Sequence, residues 1–346
     1  LNAASIRYKI AAGAPTGSHT LTIHNPALAS GQIEPENWDF YYPSKYISHP
    51  YQIRAPKEVI YPKDVHNKSR PGDRDGTGES SWWTWGPIPV SDEKMADYQI
   101  VDWANYQLEL EHEKPFFLAV GTWKPHDPWE VPQKYFDLYP MEDVVLPVHK
   151  KNDLDDAFDH GRRWIQKWVE NNNQWKKVIQ SYAAAISFSD AMLGRLIDKI
   201  KKSSYADNTI IVLWSDHGMH MGEKDNIEKF TLWERSTRVP LILSFPKVIQ
   251  PGSRCNQPVS LMDIYPTLVE LTGFEKPDHL DGNSLVPQIK DPNTLTSPVI
   301  SSYQFSWTNK PYGAHAVRSL NHRYIYYPEV GLEELYNHQT DPNEWH

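Results

Sequence analysis

Two short stretches carry residue types that could do chemistry together. In "IIVLWSDHGMHMGEK", Ile210 to Lys224, an apolar run ends in a carboxylate and an imidazole side by side, Asp216 and His217. That pair suits a divalent cation, with carboxylate oxygen and imidazole nitrogen as ligands. Read without a ligand, Asp216 caps the turn and His217 makes a local hydrogen bond. Gly218 directly after them favours a close backbone approach. In "PFFLAVGTWKPHDP", Lys124 and His126 flank a proline behind another apolar run. Lysine offers an oxyanion a point charge, and histidine can protonate a leaving oxygen; the alternative is an ordinary surface loop. Lys229, in "IEKFTLWERSTRVP", matters only if its loop folds back over the same place.

These residues need elements to hold them. Phe116–Val120 reads as a strand covered on both faces, because it is continuously apolar, and Thr209–Leu213 reads as a further buried strand. Ligands bind beyond the carboxyl ends of strands in an open parallel sheet, and both polar groups follow such ends. A helix is expected from Ser91 as N-cap, with Asp92 and Glu93 in its first turn, ending before Pro115. Another is expected through "SYAAAISFSDAMLGRLIDKIKKSS", and a third in "SLMDIYPTLVELTG", with Ser260 and Asp263 as a capping box and Gly273 as the stop. "RVPLILSFP" reads as a further buried strand, and the segments from about Pro298 as short antiparallel strands. The fold class is therefore α/β: a mainly parallel sheet sandwiched by helices, with a small C-terminal antiparallel sheet. The expected division is residues 1–295 and 296–346.

The bulk numbers narrow the function. The chain has 346 residues, 39% apolar and 23% charged, and a formal net charge of −9. That balance argues against nucleic acid as a partner, which wants a basic face. No apolar run reaches the ~20 residues of a membrane span. The one cysteine, Cys255, excludes an internal disulfide framework. There are 28 prolines and 14 tryptophans, so long pinned loops are expected. Trp82, Trp83 and Trp85, in "SSWWTWGPIP", are read either as loop anchors or as a sugar-stacking platform.

"PFFLAVGTWKPHDPWEVPQKYFDLYP", followed later by "IIVLWSDHGMHMGEK" and "EKFTLWERSTRVPLI", resembles the sulfatase family of the alkaline-phosphatase-like superfamily, in the branch around iduronate-2-sulfatase. "PGSRCNQPVSLMDIYPTLVELTG" and "HAVRSLNHRYIYYPEVGLEELYNHQTDPNEW" resemble it too, so the match runs from about Ser91 to His346. The resemblance implies a metal-dependent sulfuric ester hydrolase acting on sulfated carbohydrate, exported to the periplasm, the medium or a lysosome. It makes Asp216 and His217 the late pair of a Ca2+ site. Lys124, His126 and Lys229 become the sulfate-binding residues, with His126 aiding departure of the alcohol. His24, in "LTIHNP", matches a family histidine that follows a lysine by three residues, although Leu21 stands in that place.

Two family features are not in the sequence. The formylglycine nucleophile is made from cysteine in C-x-P-S-R, and Cys255 stands instead in "RCNQPVS". The early aspartate pair on the metal is not found either, and two ligands fall short of the ~6–8 oxygens calcium takes. The expectation is a fragment whose N-terminal segment, formylglycine included, lies outside these residues, and which does not turn over alone. The competing readings are a metal-dependent phosphodiesterase of the same superfamily and a non-catalytic binder of sulfated glycans.

Overall fold

The computed structural model describes residues 84–159, 163–305 and 312–346. His24, Trp82 and Trp83 lie outside them.

The best-covered part is a parallel strand pair under one long helix. Strand β1 (Trp85–Ile88) runs parallel to β3 (Trp129–Pro132), with Trp85 opposite Trp129 and Ile88 opposite Pro132. All four residues of β3 are buried, Glu130 included. Helix α4 (Trp175–Lys202), which follows the shorter helices α2 (Gln133–Phe136) and α3 (Arg163–Asn171), lies against β1, β3 and helix α1 (Ala96–Gln107). Its buried positions Val178, Ser181, Ala185, Phe188 and Met192 repeat at three to four residues and make one largely apolar stripe. Lys199, Lys201 and Lys202 close its last turn, where cations suit the helix dipole.

Several sequence expectations shift here. The continuous run Phe116–Val120 forms a strand only at Phe116–Phe117 (β2), and Phe117 is 45% exposed. The doubly covered strand is β3 instead; its glutamate and terminal proline hide it from a reading based on apolar runs. Helix α1 begins at Ala96, because Met95 is extended (ψ 142°) and separates it from a single 3-10 turn at Asp92–Lys94. Trp85 is a core residue, 2% exposed and edge-on to Trp168 at 6.1 Å between ring centroids, so it cannot stack on a sugar.

Strand β4 (Ile211–Trp214) pairs with β7 (Leu241–Ser244) antiparallel, Leu213 facing Ile242. Both were expected to be buried. Exposure alternates along β7 instead, and Trp214 is 50% and Ile242 56% exposed. A two-stranded ribbon covered on one side gives that pattern. The parallel arrangement thus holds at β1 and β3 and not at β4 and β7.

Between these lie the short strands β5 (His220–Met221) and β6 (Ile227–Glu228), paired antiparallel, then helix α5 (Glu234–Thr237). Helix α6 (Ile264–Thr272) starts as expected. Ser260 N donates to Asp263 Oδ2 at 2.8 Å, Met262 N donates to Ser260 Oγ at 3.2 Å, and Gly273 ends the helix at φ 78°.

The C-terminal sheet also matches the reading. Strands β8 (Val299–Phe305), β9 (Tyr312–Arg318), β10 (His322–Tyr327) and β11 (Leu332–Asn337) form an antiparallel meander in sequence order. Its inner face, with Ala314, Ala316, Ile325 and Tyr327, packs on Leu232, Trp233 and Leu154. Among the described residues no helix is long and apolar enough to cross a membrane.

Candidate functional site

The Lys124–His126 loop is fixed from two helices. Asp97, in the first turn of α1, is 2% exposed, and its two carboxylate oxygens accept the backbone N–H groups of Trp123 and Lys124, each at 2.8 Å. Burial raises the Asp97 pKa, while these two bonds and the Lys124 charge pull it back. From α4, Ser189 Oγ donates to Lys124 O at 3.1 Å. The loop then folds on itself: His126 N donates to Trp123 O at 3.0 Å, and the Trp123 and Trp129 indoles donate to Asp127 O and Pro125 O, each at 3.0 Å.

His126 Nδ1 lies 2.8 Å from Asp127 O and 2.9 Å from its Oδ1. A carbonyl only accepts, so Nδ1 carries a proton, which leaves Nε2 for other partners. Facing that nitrogen at 2.5 Å is Lys229 Nζ. The His217 ring lies on the other side, its centroid 6.3 Å from that of His126. Thus His126, His217 and Lys229, from three separate stretches, come together.

Lys124 behaves differently from expectation. Only 4% exposed, its Nζ donates to Pro128 O within its own loop. Burial lowers its pKa to about 8, partly offset by the negative fields of Asp97, Glu130 and Asp127.

Asp216 and His217 follow β4 as read. His217 N donates to Asp216 Oδ1 at 3.1 Å, and His217 Nδ1 donates to Gly218 O at 2.8 Å. That bond leaves Nε2 as a lone pair, 3.8 Å from Asp216 Oδ2. Burial lowers the His217 pKa, aided by the nearby Lys229 and His126 and opposed by the Gly218 bond and Asp216. A neutral imidazole turned this way, beside a carboxylate that is 72% exposed, is a suitable pair of donors for a divalent cation. The carboxylate offers the oxygen a hard cation takes, and the imidazole adds a nitrogen donor beside it.

The glycine after this pair has a packing reason. Gly218 N donates to Ser236 O at 2.8 Å, and a Cβ there would sit 2.0 Å from Arg235 O. The close approach is to this chain's own helix α5. It locks the metal-type pair to the segment that begins with Lys229.

A second cluster, Glu234, His338 and Glu344, has the ligand types of a metal site. Its carboxylates are already taken by cations. Arg323 Nε donates to Glu344 Oε1 at 2.7 Å, and Arg323 Nη2 and Arg318 Nε donate to Glu234 Oε2. It is an ion-pair network joining α5 to the C-terminal sheet.

Two buried residues escaped the sequence reading. Asp97 looks like any acid in a first helical turn. His220 is fully buried: Nδ1 donates to Glu223 O at 3.1 Å, and Nε2 lies 2.8 Å from Thr231 Oγ1. His315, on β9, bonds Ser302 Oγ across the sheet at 2.8 Å.

Sequence comparison gives the family. The family model described as "Sulfatase" matches residues 34–274, and that of the N-sulphoglucosamine sulphohydrolase C-terminal region matches 222–346. A sulfatase of Formosa agariphila is 40% identical over 286 residues, covering 81% of this chain and 54% of that protein. The chain belongs to the sulfatase family. Its sequence spans about half the length of the curated relatives it matches. Human iduronate 2-sulfatase is 29% identical over 231 residues, 55% of this chain and 42% of that protein. The likeness is thus to sulfatases broadly and does not single out the iduronate branch.

Solved structures show the same fold. BT4656, in complex with its substrate D-glucosamine-2-N,6-O-disulfate, superposes with a TM-score of 0.56 at 21% identity, over 72% of this chain and 64% of that one. A phosphonate monoester hydrolase from Silicibacter pomeroyi gives 0.65 at 20% identity, over 73% and 56%. The chain has the alkaline-phosphatase-like α/β fold with a small C-terminal antiparallel sheet.

Proposed function

We propose that this chain carries the sulfate-binding half of a sulfuric ester hydrolase for sulfated sugars, of the iduronate-2-sulfatase type. One observation carries the reading: Lys229 Nζ meets His126 Nε2 at 2.5 Å, with the His217 ring 6.3 Å away. A sulfate monoester brings one negative charge spread over three oxygens. A lysine ammonium answers it as a point charge, and charge building on the same oxygens during S–O cleavage is held by the same group. His126, beside it, is placed to give a proton to the departing alcohol once its Nε2 is protonated. Lys124 adds a buried positive charge behind the loop, and His24 is assigned to the substrate on family resemblance alone.

Asp216 and His217 would hold the divalent cation, Ca2+ by resemblance, which when bound lends positive charge to the sulfate oxygens. The formylglycine nucleophile and the early aspartate pair would come from outside this sequence. The 346 residues alone therefore bind sulfate esters without turning them over, in an α/β unit of residues 1–295 with a C-terminal unit of 296–346. Export from the cytoplasm goes with this reading.

The runner-up is hydrolysis of a phosphorus ester, favoured by the fold likeness to the phosphonate monoester hydrolase. A melting-shift panel separates the two. A 2-O-sulfated uronate disaccharide and 6-sulfated glucosamine should raise the midpoint saturably, and a phosphonate monoester should not. The reverse ranking would replace this reading with the phosphorus ester.

A further inference from the structure

Lys229 is followed by five residues that are each tied to another part of the chain. Phe230 meets the Tyr303 ring at 5.8 Å between centroids. Thr231 Oγ1 lies 2.8 Å from His220 Nε2. Leu232 O accepts from Arg323 Nη1 at 2.8 Å. The Trp233 indole donates to Glu334 Oε2 at 2.8 Å, and Glu234 N donates to Glu344 Oε2 at 2.8 Å. Four of these five ties end beyond residue 296, on or just after the C-terminal sheet.

The backbone here is strained. Phe230 sits at φ 71°, a left-handed conformation that a bulky side chain avoids. Such a residue persists where its surroundings over-determine it. The strain falls on the residue next to Lys229, so relaxing the segment would swing the ammonium away from His126.

We propose that the C-terminal sheet is a positioning element of the oxyanion site: Arg323, gripping Leu232 O and the Glu234 and Glu344 carboxylates at once, sets where Lys229 stands. This rests on the sulfate-binding reading above. Arg323 is 2% exposed, and among the described residues it is the side chain that bonds both Leu232 O and the two acids. The three contacts use separate nitrogens of one planar fork, Nε, Nη1 and Nη2. A lysine has a single nitrogen and cannot reproduce that grip, although it keeps the charge.

The test uses the full chain with inorganic sulfate as probe. Sulfate affinity is measured for wild type, Arg323→Lys, Lys229→Ala and the double variant, alongside hydrogen exchange of the 229–234 amides. Arg323→Lys should weaken sulfate about tenfold, the scale of one displaced charge-assisted bond, and speed exchange in that segment. On the Lys229→Ala background it should cost nothing more, because the two act through one ammonium. Sulfate affinity in Arg323→Lys equal to wild type, or a loss that multiplies with that of Lys229→Ala, would overturn the positioning role. An unchanged affinity in Lys229→Ala would instead remove the sulfate reading, and this inference with it. If Arg323→Lys does not fold, Trp233→Phe takes its place: it removes the N–H to Glu334 together with part of a buried ring, and carries the same expectations for affinity and for exchange of the 229–234 amides.

Discussion

Lys229 and His126, 103 residues apart in sequence, meet at 2.5 Å between Nζ and Nε2. Nothing in either tripeptide requires that contact. It exists because Asp97 and Ser189 fix the loop of one, while Gly218 and Arg323 fix the segment of the other.

The first prediction concerns that pair. Lys229→Ala should weaken inorganic sulfate binding about 10- to 100-fold, the range of a lost charge-assisted contact. His126→Ala should weaken it less, because the point charge that meets the oxyanion is the Lys229 ammonium. Calorimetric titration of both variants gives the order; a larger effect at His126 would contradict it.

A second prediction separates the metal-type pair from the oxyanion groups. Added Ca2+ binding only the folded state raises the melting midpoint by mass action. Wild type should show this rise, and Asp216→Asn should lose it while keeping sulfate affinity within about twofold. An equal Ca2+ response in both proteins would take Asp216 out of the metal site.

The buried His220 predicts a pH dependence. Its pKa is lowered from 6.5 to about 4, chiefly by desolvation, with the fields of Glu223 and Glu344 opposing. Between those values the unfolded chain binds the proton and the folded one does not. Stability is therefore lost as pH falls from about 6.5 toward 4, by about 3 kcal/mol at full extent. Urea midpoints across that range should show the fall in wild type and a flatter profile in His220→Gln. Parallel profiles would contradict the assignment.

How much of this was readable in advance depended on whether a residue's job lay in local sequence. The capping box at Ser260 and Asp263, the α6 stop at Gly273 and the meander after Val299 are local patterns, and they stood as read. Asp216, His217, His126 and Lys229 could be singled out by type and by their place after apolar runs. The meeting of His126 with Lys229 and His217 could not, since it depends on contacts 103 and 91 residues apart. Strand β3 was hidden because Glu130 and Pro132 break its apolar run although its burial is complete. The Trp85 platform failed for a related reason: its type suits both a core and a sugar surface, and only burial separates them.

Asp97 illustrates what a single hidden residue does. Its carboxylate serves two N–H donors at 2.8 Å each. Asparagine offers one oxygen and turns an N–H group toward the second donor. Asp97→Asn should cost about 1–3 kcal/mol, read as a lowered urea midpoint, and should loosen the His126 loop enough to weaken sulfate as well. Unchanged stability would show that the two bonds are replaceable by water.

The most direct measurement of the central claim is sulfate protection of individual lysines. The chain is treated with an amine-acylating reagent over a range of sulfate concentrations, and each lysine's reaction is followed by peptide mass spectrometry. The account predicts saturable protection of Lys229, with exposed lysines such as Lys201 and Lys202 on α4 reacting at a constant rate. Lys229 acylated equally fast at every sulfate concentration, or all lysines slowing in parallel, would contradict it.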